Sequence, residues 1–180
     1  MKTNRLIHII LCVIFIIGNK HAIAQPSLVL GGYPVDISVA PWQASMENHK
    51  TYSGNHWCGC TILNEAWVVT AGHCLYDGPQ RILFSGDNLI IHAGSTNQTN
   101  NSIGQRIEVD EIILHPNYDV NSADYEIALL HLKTPLCFDE FIRPVKYATG
   151  QIDLVVGDTA LITGWGNTGN GGFSANLYGA

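Results

Sequence analysis

Short apolar runs separated by turn residues dominate the chain after its first two dozen residues. Trp57 to Leu63, Trp67 to Thr70, Arg81 to Phe84, Leu89 to Ala93, Arg106 to Leu114, Ile127 to Leu132 and Thr159 to Thr163 are rich in Val, Ile, Leu, Trp and Thr. Such residues suit a pleated, half-buried surface, and each run reads as a β-strand. Turn signals stand between them: Asp77-Gly78-Pro79, Ser85-Gly86-Asp87-Asn88, the polar stretch Ser95 to Gly104, and His115-Pro116-Asn117. No long segment after residue 24 keeps a clean helical period. Many short strands at regular spacing predict an all-β sandwich or barrel. The glycine-rich stretch from Gly164 to Gly172 reads as a long surface loop.

The first residues follow a different pattern. Lys2 and Arg5 precede the apolar run Leu6 to Ile17, and Ala22-Ile23-Ala24 offers small residues for cleavage before Gln25. That is the pattern of a secretory signal peptide over residues 1–24. The run falls short of the ~20 apolar residues that span a bilayer, so it predicts a secreted, extracellular chain rather than an anchored one. Cys12 would leave with the leader. Cys58, Cys60, Cys74 and Cys137 remain, and an even count in a secreted chain favours disulfides over metal thiolates. The remainder is one domain's length, enough to bury a core.

Composition narrows the partners. The formal charge is -6, and the nine Lys and Arg residues form no cluster. This argues against nucleic acid or an anionic membrane as the binding surface. Asn97-Gln98-Thr99 and Asn100-Asn101-Ser102 are N-glycosylation sequons, with Asn97 and Asn100 the candidate acceptors. His56, Cys58 and Cys60 alternate along one strand face. Zinc sites space their cysteines more widely and secreted thiols oxidise, so no metal is expected there.

Four stretches carry the chemistry: "VLGGYPVDISVAPWQASM" (29–46), "HWCGCTILNEAWVVTAGHC" (56–74), "HPNYDVNSADYEIALLHL" (115–132) and "LITGWG" (161–166). In this order and spacing they resemble the chymotrypsin/trypsin-like serine peptidases over essentially the whole chain after the leader. The resemblance implies a double antiparallel β-barrel. The first barrel, about 29–144, is complete; the second, about 145–180, is represented only by its opening strands. Residues 25–28 become a short propeptide-like segment and 29–180 the peptidase domain. Ala180 falls near the start of a second-barrel strand, so the resemblance implies that the sequence continues beyond it.

The same resemblance assigns roles. His73 takes the general base's position; an imidazole titrates near neutrality and can accept a hydroxyl proton and return it. Cys58 and Cys74 form the bridge that pins the histidine's turn. Cys60 and Cys137 have no familiar partners, which leaves pairing with each other, with a further segment or with another chain open. The family's orienting aspartate directly precedes "IALL"; here Glu126 does, one methylene longer, and Asp124 two residues earlier is a possible substitute. The family's nucleophile lies in Gly-Asp-Ser-Gly-Gly downstream of "GWG", and nothing in these residues matches. Gly157-Asp158-Thr159 leads straight into a strand, and Ser174 lacks the flanking glycine. Val29 is the candidate activated N-terminus, but Leu28 replaces the usual basic residue before it. Ser95 stands where calcium-binding members place an acidic ligand, so neither calcium nor any other cofactor is implied.

Two functions follow. One is a secreted homologue that no longer cleaves and acts by binding, similar to the inactivated protease paralogues of parasitic mites, a class linked to blocking host defence proteins. The other is an active serine endopeptidase acting on protein substrates, known here only in part. Neither reading fixes the oligomeric state.

Overall fold

A computed structural model describes residues 32–49, 55–77, 82–150, 155–167 and 174–180. The leader, the propeptide-like segment, Val29 and the loop 168–173 lie outside the described residues. Eleven strands are present among those described, all paired antiparallel. They are β1 (Tyr33–Pro34), β2 (Gln43–Asn48), β3 (Asn55–Ile62), β4 (Trp67–Thr70), β5 (Tyr76–Asp77), β6 (Ile82–Leu83), β7 (Leu89–Ala93), β8 (Gln105–Leu114), β9 (Ala128–Leu132), β10 (Thr163–Gly164) and β11 (Tyr178–Gly179). Six of them close a barrel in the order β2-β3-β4-β9-β8-β7. Closure leaves no free strand edge in that unit.

Alternation along the strands fills the barrel. Ala44 and Met46 of β2, Cys60 and Ile62 of β3, Val68 of β4, Leu89 and Ile91 of β7, and Leu130 and Leu132 of β9 are all buried in one apolar cluster. Successive side chains of a strand point to opposite faces, so one set lines the interior. Register shifts between Met46 and Glu47 and between Val109 and Glu111 bend the sheet, as bulges do in closed barrels. At Gly94, φ is +80° and an added Cβ would stand 2.7 Å from Ile142 Cγ1. Only glycine lets the chain turn there against the core.

A second, partial sheet joins β1, β11 and β10. Val35, Ile37, Trp165 and Leu177 form its apolar cluster. It is tied to the barrel by the loop after β7: the Trp165 indole N–H and the Leu177 N–H both donate to the Thr96 carbonyl, at 2.9 Å each. The architecture is therefore nearly all-β, with one closed six-stranded barrel and part of another sheet, as the sequence predicts.

Three local expectations are corrected. β2 was absent from the strand reading because Gln43, Ser45 and Glu47 alternate with Ala44 and Met46 on what looks like a solvent face. Those polar side chains are in fact buried. Residues 159–162 do not form a strand; only Thr163 of that run does, although Ile162 exchanges two 3.0 Å backbone hydrogen bonds with Ala180. Trp165, inside the expected surface loop, is buried because its ring packs with Val35, Ile37 and Leu177 and lies 5.6 Å from His56.

Candidate active site

The histidine turn is built by three constraints. β4 ends at Thr70, whose hydroxyl donates to the Gly59 carbonyl at 2.9 Å. The chain then makes a short 3-10 turn, Gly72–Leu75. Cys74 in that turn is disulfide-bonded to Cys58 of β3, with Cα atoms 6.1 Å apart, and the Trp57 indole N–H donates to the Cys74 carbonyl at 2.7 Å. Closing a loop of that size limits the unfolded chain by about 3 kcal/mol. Cys60 and Cys137 are both free thiols, one buried and one exposed.

Glu126 reaches this turn from just before β9. Its Oε1 accepts from the His73 backbone N–H at 2.7 Å and lies 3.0 Å from His73 Nδ1. A carboxylate there fixes Nδ1 as the protonated nitrogen and leaves Nε2 free to accept. The His73 side chain is 64% exposed and that of Glu126 29%, so the histidine lies at the barrel surface while the glutamate is partly buried. Partial burial pushes the Glu126 carboxyl up, but the His73 N–H, the His73 ring and the Tyr118 phenol outweigh it and hold the group below the ordinary glutamate value.

The backbone leading into Glu126 is strained. Ala123 and Tyr125 both have left-handed φ, +56° and +54°, a conformation that costs non-glycine residues on the order of 1–2 kcal/mol. The Ile127 N–H closes on the Tyr125 carbonyl at 2.7 Å, turning the chain tightly around Glu126. The exposed Tyr125 ring lies flat on His115, with centroids 4.7 Å apart and planes 5° from parallel.

The other sequence candidates fall elsewhere. Asp124 accepts from the Ser122 hydroxyl at 2.8 Å, and its carbonyl accepts from the Asp119 N–H. Its bonds are thus within its own loop, while Glu126 carries the contact to His73. Ser174 Oγ accepts from the Asn176 N–H at 3.1 Å in the segment before β11. The Asn97 side-chain oxygen accepts from both the Thr99 N–H and its hydroxyl, at 3.0 and 2.7 Å. That of Asn100 accepts from the Ser102 N–H at 3.1 Å. The Ser95 hydroxyl donates to the Asn97 carbonyl at 2.8 Å. Among the described residues, one group brings metal-type ligand atoms together: Cys58, His73 and Cys74. Its two sulfurs are joined in the disulfide.

A family model described as Trypsin matches residues 29–180. The chain belongs to the trypsin family. This trypsin-family chain is 32% identical to a trypsin of Phaedon cochleariae over 88% of its own length and 60% of the relative's. It is 33% identical to Trypsin 5G1 of Aedes aegypti, over 83% of this chain and 52% of that one. A trypsin of Simulium vittatum is 31% identical, over 90% and 64%. The chain thus spans between about half and two thirds of the length of the curated trypsins it matches. The family acts on protein substrates, and its serine-peptidase character fits the pairing of an exposed histidine with a carboxylate.

Tyr118 was not among the sequence candidates. Its signal was the turn "HPNY", but nothing in the spacing shows that the ring lands against Gly72, the residue before His73.

Proposed function

We propose that this chain carries the base-and-orienter half of a secreted serine endopeptidase. In this reading residues 1–24 are a signal peptide, 25–28 a short propeptide-like segment and 29–180 the peptidase domain, with its first barrel ending near residue 144. Val29 becomes the new N-terminus after cleavage. The nucleophilic serine belongs to the part of the relatives' length that this chain does not span. Among the described residues, no helix is long and apolar enough to cross a membrane.

One observation carries the reading: a single Glu126 oxygen bonds both the backbone N–H and the ring of His73. The longer glutamate therefore meets the geometric demand on the orienting carboxylate. The serine hydroxyl proton would pass to His73 Nε2 as the serine oxygen attacks the peptide carbonyl. The imidazolium would then return that proton to the departing amine. Glu126 stays ionised throughout, stabilising the imidazolium and holding its tautomer, and its lowered proton affinity supports that role. Sequencing the transcript past Ala180 tests the proposal. Gly-Asp-Ser-Gly-Gly downstream of Gly166 is the expected result, and a codon for another residue in place of the serine would refute it.

The second reading, a noncatalytic homologue that acts by binding protein, is favoured by one feature. Leu28 precedes Val29 where family zymogens carry Arg or Lys, so a trypsin-like activator has no site. Host defence proteins are the partner class the mite resemblance suggests for it.

A further inference from the structure

We propose that His92 and Glu47 form a proton-operated latch that fastens the loop 95–104 to the barrel. The latch follows from counting hydrogens on one buried ring. His92 sits on the face of β7 opposite to the core residues Leu89, Ile91 and Ala93. Its Nε2 stands 2.7 Å from the Ile103 carbonyl oxygen. A carbonyl only accepts, so Nε2 carries a hydrogen. The other nitrogen, Nδ1, faces Glu47 Oε1 at 3.4 Å, and both side chains are 1% exposed. Neither of these two atoms has a hydrogen-bond partner among the described residues. A neutral imidazole has one N–H and cannot serve two acceptors. With that hydrogen on Nε2, a lone pair on Nδ1 meets a carboxylate oxygen in a buried site. A proton taken from solvent onto Nδ1 turns this repulsion into a charge-assisted contact, and the ring then bridges barrel and loop.

The surrounding charges place the proton on the ring. From β8, Arg106 donates to Glu47 Oε2, and a guanidinium beside the carboxylate makes it the weaker site for a proton. His49, just past β2, stands 3.1 Å from the same oxygen and 3.0 Å from Arg106 Nη2. From β3, His56 is pushed down to about 4 by burial, which the Glu47 charge partly offsets, so it stays neutral. Glu108, next along that face of β8, is paired with Lys133 at 2.6 Å. His92 is thus the histidine aimed at the unbonded oxygen. The loop it holds carries Thr96, whose carbonyl accepts from Trp165 and Leu177 of the second sheet's apolar cluster. Proton uptake therefore tightens the joint between barrel and second sheet, and proton loss as pH rises loosens it.

The test uses the natural full-length protein with nitrogen-15 in its histidine rings. At pH 6 both His92 ring nitrogens should show the shift of an N–H, and at pH 8 only Nε2 should. Amide hydrogen exchange at residues 100–104, corrected for its intrinsic pH dependence, should be roughly tenfold slower at pH 6 than at pH 8. Glu47→Gln and His92→Gln should abolish this response by different routes. The amide at 47 donates to Nδ1, so the neutral ring serves both neighbours; the amide at 92 does not titrate. Both variants keep His56, so its own titration cancels in the comparison with wild type. A wild-type ring that keeps one hydrogen at both pH values, or corrected exchange that does not change, overturns the proposal. So does a variant that retains the wild-type response. The wild-type readings decide the matter alone where a variant fails to fold.

Discussion

Glu126 and His73 are joined twice through one oxygen, at 2.7 Å to the backbone N–H and 3.0 Å to Nδ1. The first bond fixes where the carboxylate sits, and the second fixes how the ring turns. An amide at 126 could still accept from the backbone but could not stabilise an imidazolium. On the proposed function, Glu126→Gln in the natural full-length protein should therefore lower kcat by about 10⁴-fold with KM little changed. Steady-state hydrolysis of a peptide substrate reads this directly, and a large rise in KM at unchanged kcat would contradict it.

The polar face of β2 holds a buried charge cluster. Glu47 is 1% exposed and accepts from Arg106 Nη2 and from His49 Nε2, the latter at 3.1 Å; its other oxygen faces His92 Nδ1 at 3.4 Å. Removing one partner of a buried pair leaves an uncompensated charge. Glu47→Ala should destabilise the fold by about 3–5 kcal/mol, measured by urea unfolding. A loss below 1 kcal/mol, the range of surface pairs, would show that the cluster is solvated.

His56 supplies a pH dependence. Its Nδ1 lies 2.7 Å from the Ser45 hydroxyl, and burial, partly offset by the nearby Glu47 charge, pushes its pKa down to about 4. Between that value and the ordinary 6.5 the unfolded chain binds the extra proton and the folded one does not. Its contribution is therefore complete above about pH 6.5 and lost as pH falls to about 4, roughly 3 kcal/mol in all. Denaturant unfolding at pH 7 and pH 5 should show the drop, and a variant with Phe at position 56 should flatten it.

The two free thiols should react differently. Cys60 is fully buried and burial pushes its thiol up to about 12, whereas Cys137 is exposed. Thiolate is the reactive form, so brief alkylation of the native protein should modify Cys137 and spare Cys60 until denaturant is added. Mass mapping of the peptides checks this, and early labelling of Cys60 would contradict the closed barrel.

Much of the fold was legible because the barrel strands are runs of β-favouring residues bounded by turn signals. β4, β7, β8 and β9 were readable within a residue, from their Val, Ile and Leu content. β2 was not, because Gln43, Ser45 and Glu47 look solvent-facing until His56 of the paired strand and Thr163 and Arg106, both far along the chain, are brought against them. Of the candidate site, His73 and Glu126 stood in recognisable motifs, and the structure brings their side chains together. Whether a longer carboxylate reaches the ring depends on two left-handed residues and a tight turn, which side-chain patterns do not encode.

The central claim is that His73 and Glu126 serve a serine. A fluorophosphonate probe applied to the natural full-length protein tests this most directly, with His73→Ala as the control. Covalent labelling of one serine in the wild type, sharply slowed in the control, is the predicted result. A folded wild type that takes no label would contradict the account and leave the chain as a binding homologue.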